Sequence, residues 1–426
     1  MKEVIKIEGN HPLNGTVRIG GAKNATVALM PAAILSSAGP VTVCGVPDIS
    51  DVDSLIQVLE FLGCDVFIRE NGETIVIDST NMQNKIVDHD AVNKLRASYY
   101  FMGALLGKYG HVEIKQPGGC YLGPRPIDLH IKGFKALGAT YSEDKKNNTV
   151  ILHAEQLIGT KIFLDIASVG ATINIMLAAV YAKGKTIIEN AAKEPEIIDV
   201  ANLLNKMGAD ITGAGTDVIV IEGQDQLHGA FHEIIPDRIE AATYVILGAA
   251  AAEEMKVENV IPRHLEALTS KLIEMGVDLE IGIDSIVIRK NENPLKPIEI
   301  KTKPYPGFAT DIQQPLTALL TQAQGQSKVT EGIYKERFKH CPELNKMGAN
   351  IEVEIPTSRI NGSTKLYGND VVATDLRCGA CLVVAGLMAE GITTIRDIYH
   401  IERGYENIEQ KLINLGAKIW REKVEE

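Results

Sequence analysis

Apolar positions along this chain repeat on two scales. On the longer scale, an apolar residue, two variable ones, a second apolar residue, a glycine and a small or apolar residue recur in EFLGCDV, KALGATY, NKMGADI, IEMGVDL, NKMGANI and INLGAKI. The glycines are Gly63, Gly138, Gly208, Gly276, Gly348 and Gly416, spaced by 75, 70, 68, 72 and 68 residues. That interval is too regular for chance and too long for a helical solenoid, so six units of about 70 residues fill the chain. Within a unit the pattern changes period. A helix dense in small apolar residues is predicted over 24–35, 95–106, 169–182, 239–252, 311–323 and 376–389. Five of these run into a glycine stop signal, Gly39, Gly110, Gly184, Gly325 and Gly391. A short strand follows (VTVCGV, HVEIKQ, KTIIEN, MKVENV, SKVTEG, TTIRDI), then an amphipathic helix ending at the repeated glycine, then a strand or hairpin such as TDVIVIEG or DSIVIRK. Helices rich in alanine allow close backbone approach, which places them inside, with the sheets outside. The expectation is an α/β chain of two domains, three units each, dividing near Pro236.

Composition agrees with two packed domains and narrows the partners. At 426 residues and 45% hydrophobic the chain can bury two cores. Its net charge of -12 argues against a general nucleic-acid or anionic-membrane binder, so an anionic ligand must meet a local cluster of cations. The first ten residues alternate apolar and charged positions, unlike a signal peptide, and no apolar run approaches the roughly 18 residues of a membrane span. A soluble cytoplasmic protein with reduced thiols is expected.

The polar residues that open the six small-residue helices are Lys23-Asn24, Arg96, Ser168, Arg238, Asp311 and Arg377. Helix N-termini carry partial positive charge and unpaired N–H groups, and ordinary capping uses Ser, Thr, Asp or Asn. Four cations at such ends favour a cleft for a polyanion over simple capping. In the second unit, His111 to Gly138 spans 27 residues where the others use about 20 to 23. The excess is the loop QPGGCYLGPRPIDLH, 116–130, too rich in glycine and proline for a helix or strand. Cys120 sits there among Gly118, Gly119 and Gly123 and with Arg125 five residues on, the setting of a reactive thiol. Cys378 and Cys381 form a C-x-x-C inside a helix with no second pair, and are read as packing; Cys44, Cys64 and Cys341 are assigned no role. Neither G-x-x-x-x-G-K-[ST] nor G-x-G-x-x-G is present, and the ten histidines show no metal-ligand spacing.

The segments GGAKNA (20–25), LRAS (95–98), PGGCYLGPRPIDLH (117–130), SVGAT (168–172), NAAKEPEI (190–197), PDRIEA (236–241), TDIQQP (310–315), ATDLR (373–377) and YHIERGYENIEQKL (399–412) together resemble the UDP-N-acetylglucosamine 1-carboxyvinyltransferase family. The likeness runs over essentially the whole chain. The related shikimate-pathway transferases would carry G-S-K-S in place of GGAKNA, and they lack the cysteine loop.

The resemblance implies an inside-out α/β barrel in two domains, 22–235 and 1–21 plus 236–426, with the active site in the cleft between them. It implies transfer of the enolpyruvyl group of phosphoenolpyruvate to the 3'-hydroxyl of UDP-N-acetylglucosamine, with release of phosphate and no cofactor or metal. It makes Cys120 the general acid, able to carry a phosphothioketal (2-(S-cysteinyl)pyruvic acid O-phosphothioketal) and open to epoxide analogues such as fosfomycin. Asp311 is the implied base. Lys23, Arg125 and Arg403 are the implied clamp on phosphoenolpyruvate, with Arg377 a fourth. For the nucleotide sugar it implies Asn24, Arg96, Arg125, Pro126, Ile127, Asp128, Leu129, His130, Ser168, Val169, Gly170, Thr310 and Ile333. Some members carry Lys two residues before the Ser of SVGAT, where this chain has Ile166. A catalytically silent sensor of a nucleotide sugar would lack the acid or base, yet Cys120 and Asp311 are both present. A cysteine hydrolase would need a base near Cys120, and only His130 is close in sequence. The residues name no regulatory protein partner.

Overall fold

A computed structural model describes residues 2–116 and 127–424. Cys120, Arg125 and Pro126 lie outside the described residues.

The sixfold glycine repeat is a sixfold helix stop. Gly63, Gly138, Gly208, Gly276, Gly348 and Gly416 have φ between 90° and 102°, the left-handed region that costs a residue with a Cβ. In each case the glycine N–H bonds to the carbonyl three residues back, and the next N–H to the carbonyl five back, all at 2.9–3.1 Å. These are the two bonds of a Schellman motif. The longer one joins Leu59 to Cys64, Phe134 to Ala139, Leu204 to Ala209, Leu272 to Val277, Leu344 to Ala349 and Leu412 to Ala417. The first residue of every pair is fully buried, so the apolar position four before each glycine anchors the turn to the core. The sequence repeat is therefore the chemical requirement of one motif, met six times.

The small-residue helices are the inner layer. In the unit formed by residues 21–235 they are Lys23–Ala33, Tyr100–Tyr109 and Val169–Ala179; in the unit formed by 1–20 and 236–426 they are Arg238–Ala251, Thr310–Leu320 and Leu376–Met388. In Val169–Ala179 every residue after the first is buried. A Cβ on Gly103 would lie 2.2 Å from the Asn174 carbonyl oxygen, and one on Gly107 2.9 Å from that of Leu177, so glycine sets how closely these helices approach.

The stop signals after the inner helices differ from expectation. Only Gly110 is itself the C-cap, with φ 67°. Gly39, Gly184 and Gly391 are left-handed but lie in turns beyond the helix end, and Gly325 opens the strand Gly325–Thr330. After Lys23–Ala33 and Thr310–Leu320 the chain tightens into bonds three residues back, from Ile34, Leu35 and Ser36 to Pro31, Ala32 and Ala33 and from Thr321, Gln322 and Ala323 to Ala318, Leu319 and Leu320. The second unit's inner helix also begins differently. Arg96–Tyr99 is a 3-10 turn preceded by an unforeseen short helix, Asp90–Lys94, with the Ser98 hydroxyl bonded to the Leu95 carbonyl at 2.6 Å.

Among the described residues the strands form six small sheets, five of them on one plan: a parallel edge strand, the strand after the inner helix, and an antiparallel hairpin; the sheet of His111–Lys115, Thr140–Asp144 and Thr149–His153 has three antiparallel strands, with only an isolated parallel bridge from Val87 to Ile114 at its edge. The edge strand comes from a neighbouring segment, and twice it closes a ring. Phe231–Glu233 pairs with Val41–Cys44 to join the end of the 21–235 unit to its start, and Leu13–Arg18 pairs with Ala252–Glu258 in the other unit. The sixth unit has no second hairpin strand of its own. Lys2–Glu8 takes that place between Ile392–Arg396 and Lys418–Val424, with Ile5 opposite both Ile395 and Arg421. Each unit is thus an inside-out α/β barrel of three inner helices with sheets outside.

Candidate active site

In the 21–235 unit, Lys23 and Asn24 are the first two residues of an inner helix whose N-cap, Ala22, supplies no side-chain bond. A cation there opposes the helix dipole. The compensation is Asp51, 3% exposed in the first turn of Ser50–Phe61, whose carboxylate lies 2.8 Å from the Lys23 ammonium. The helix Lys23–Ala33 packs against the 3-10 turn that begins at Arg96.

Ile127 caps the helix Asp128–Ala136, which carries Asp128, Leu129 and the buried His130. Ser168 caps the helix that begins with Val169 and Gly170, its hydroxyl accepting from Ala171 N–H at 3.3 Å. A Cβ on Gly170 would meet the Tyr99 hydroxyl at 2.8 Å and His130 Nε2 at 3.2 Å, so this helix end and these two side chains are in close apposition. Burial, with the Arg96 charge adding to it, pushes His130 down to about 4, so the ring is neutral at pH 7.

Asn174 fixes which ring nitrogen holds the proton. Its Oδ1 accepts from Gly103 N–H at 2.7 Å, and its Nδ2 donates to the Tyr99 carbonyl at 2.9 Å. Since a backbone N–H can only donate and a carbonyl can only accept, the amide orientation is determined. The same Nδ2 lies 3.0 Å from His130 Nδ1, which is then the acceptor, leaving the proton on Nε2, beside Gly170. In Asn174→Asp the new carboxylate should draw the ring proton to Nδ1 and raise His130 from about 4 toward its ordinary value. Nitrogen NMR of the imidazole reads both changes, and unaltered ring shifts would remove Asn174 from this role.

In the other unit, the inner helices Thr310–Leu320 and Leu376–Met388 pack together and bring Asp311 and Arg377 into one cluster. Arg377 Nη2 lies 3.5 Å from Asp311 Oδ2, and its Nη1 donates to the Tyr405 hydroxyl at 3.1 Å. Arg337 is nearer: its Nη1 is 2.6 Å from Asp311 Oδ1 and 3.0 Å from the Thr310 hydroxyl. Both guanidiniums are about 95% buried while the carboxylate is 26% exposed, so Asp311 is the opening of a buried cationic pair. Arg403 follows the helix Tyr399–Glu402, two residues before Tyr405, and Ile333 lies in the turn after Gly325–Thr330.

Sequence reasoning missed Asp51, Asn174 and Arg337. Of these only Asn174 had a usable signal, an amide inside the apolar run SVGATINIMLAA. Capping and cation are also not alternatives here. Asp237 accepts from Ile239 and Glu240 N–H, and Asp375 from Arg377 and Cys378 N–H, so an aspartate caps the helix and the arginine follows it. Cys378 and Cys381 are fully buried in Leu376–Met388, and burial pushes the Cys378 thiol up to about 12. Ile166 is 68% exposed.

A family model described as EPSP synthase (3-phosphoshikimate 1-carboxyvinyltransferase) matches residues 7–412. The UDP-N-acetylglucosamine 1-carboxyvinyltransferase 2 of Bacillus subtilis (strain 168) is 56% identical over 422 residues, 99% of this chain and 97% of its own. That of Listeria monocytogenes serovar 1/2a is 56% identical over 421 residues, 99% of this chain and 98% of its own. Among solved structures, the enolpyruvyl transferase NikO from Streptomyces tendae superposes with a TM-score of 0.91 at 27% identity, covering both chains completely. An EPSP synthase from Acinetobacter baumannii, TM-score 0.76 at 19% identity over 99% of this chain and all of its own, shares the fold. The chain belongs to the EPSP synthase family of enolpyruvyl transferases, on its UDP-N-acetylglucosamine 1-carboxyvinyltransferase branch.

Proposed function

We propose that this protein transfers the enolpyruvyl group of phosphoenolpyruvate to the 3'-hydroxyl of UDP-N-acetylglucosamine, the first committed step of peptidoglycan synthesis. The observation that carries this reading is 56% identity over 99% of the chain to proteins named for that reaction. The reaction is an addition followed by an elimination. The sugar oxygen bonds to C2 of phosphoenolpyruvate while a proton is delivered to the C3 methylene, giving a tetrahedral phosphate ketal; C3 then loses a proton and the C2–O bond to phosphate breaks. In this reading Asp311 takes the hydroxyl proton, Cys120 supplies the proton to C3, and Lys23, Arg125, Arg377 and Arg403 hold the phosphate and carboxylate. Asn24, Arg96, the 125–130 segment, Ser168 to Gly170, Thr310 and Ile333 hold the nucleotide sugar. No described helix is long and apolar enough to cross a membrane.

The second reading within the family is transfer to 3-phosphoshikimate. Against it, the chain carries GGAKNA where that branch would carry G-S-K-S. The test is phosphate release from phosphoenolpyruvate with each acceptor. Release is expected with UDP-N-acetylglucosamine alone; release that depends on 3-phosphoshikimate, or none with either, would overturn the proposal.

A further inference from the structure

We infer that Glu331 is a positioning residue for the acceptor nucleotide sugar, holding Thr310 and Ile333 in register and, through Arg337, the Asp311 carboxylate. The inference rests on the function proposed above, which places Thr310, Asp311 and Ile333 in the site. Glu331 is 1% exposed, at the end of the strand Gly325–Thr330, and a carboxylate so buried must have its oxygens satisfied by the protein. Four donors converge on it. The Thr302 hydroxyl and the N–H groups of Ile333 and Tyr334, at 3.0 and 3.2 Å, bond to Oε1, and the Thr310 hydroxyl bonds to Oε2 at 2.9 Å. Thr302 in turn accepts from Gly332 N–H at 2.8 Å, so the whole 331–334 turn is pinned.

The directions of these bonds form a chain. Thr310 gives its only hydroxyl proton to Glu331, which leaves its oxygen lone pairs for Arg337 Nη1 at 3.0 Å, and that same nitrogen is 2.6 Å from Asp311 Oδ1. One carboxylate thereby fixes a helix N-terminal hydroxyl, a loop backbone and the guanidinium that holds Oδ1. The other carboxylate oxygen, Oδ2, lies 3.5 Å from Arg377 Nη2.

Glu331→Gln is the discriminating change, because it keeps shape and removes one acceptor. Its amide oxygen can still serve Thr302, Ile333 and Tyr334. Its amide nitrogen then points a donor at Thr310, whose oxygen already faces the Arg337 donor. The damage falls on the sugar side of the site. Calorimetry with UDP-N-acetylglucosamine, together with KM for each substrate and the melting temperature, reads the effect. About tenfold weaker nucleotide-sugar binding is expected, with KM for phosphoenolpyruvate changed less than about twofold; tenfold corresponds to about 1.4 kcal/mol. If Glu331→Gln does not fold, Thr302→Val removes one of the four donors more gently and should show the same selectivity at about threefold. Unchanged nucleotide-sugar affinity in a wild-type-active background overturns the inference alone. So does a lowered melting temperature with both KM values unchanged, since that marks a merely structural residue. Failure of the wild-type protein to bind UDP-N-acetylglucosamine overturns the proposed function, and this inference with it.

Discussion

Cys120→Ser should lose most product formation, by a factor of about 10²–10⁴, while Cys120→Asp keeps substantial turnover. The acid must protonate a vinyl carbon near neutral pH. A thiol, with an ordinary pKa of about 8.5, and a carboxylic acid, at about 3.9, are both far stronger acids than a serine hydroxyl. The two variants separate acidity from nucleophilicity. An epoxide analogue of phosphoenolpyruvate such as fosfomycin inactivates by attack of the thiolate sulfur on a ring carbon, forming S–C and breaking C–O, and a carboxylate at this position is a poor nucleophile. Cys120→Asp should therefore be active and resistant, whereas the wild-type protein should gain the mass of one epoxide adduct at Cys120. Normal turnover by the serine variant would remove Cys120 as the proton donor. Labelling at Cys64, Cys341, Cys378 or Cys381 is not expected, because all four are buried and burial pushes each thiol up.

What could be read from the chain beforehand follows from how local each requirement is. The repeated glycines were legible because a Schellman motif is written in consecutive residues: a buried Leu or Phe, a glycine with positive φ, then a small residue. The inner helices were legible because a helix buried all round must be apolar nearly all round, as Val169–Ala179 is apart from Thr172 and Asn174. Ring closure was not. That Lys2–Glu8 completes the last sheet follows from a pairing across more than 380 residues, which no local pattern encodes; only the family resemblance placed the first strand with the C-terminal units. Site residues divide in the same way. Asp311 and Arg377 stand at repeat-equivalent helix starts and could be found by alignment of the units. Arg337 and Glu331 act through side chains that reach Thr310 and Asp311 from a different segment, and nothing in VTEGIYKERF marks them. Asp51 was hidden for the opposite reason: an acidic residue in a first helical turn is so ordinary that its pairing with Lys23 could not be singled out.

Asp311→Asn should lower kcat by about 10²–10⁴, the contribution of a positioned general base, and should also destabilise the protein. The amide oxygen can still accept from Arg337 at the Oδ1 position, but the amide nitrogen then faces Arg377, and two guanidiniums about 95% buried lose their shared anion. Breaking a fully buried pair costs about 3–5 kcal/mol; with the carboxylate 26% exposed, roughly 1–3 kcal/mol is the scale to expect. Activity and stability would then fall together, and one variant could not say which loss causes the other. Asp311→Glu separates them. It restores the anion between Arg337 and Arg377, so the melting temperature should recover, yet one extra methylene displaces the accepting oxygen by about 1 Å or more, enough to cost on the order of 100-fold in rate. A stable Glu variant that remains slow identifies Asp311 as a base held in place by its arginines. An Asn variant with near-normal kcat would show instead that the hydroxyl proton leaves by another route, and Asp311 would be reduced to the counter-ion of Arg337 and Arg377.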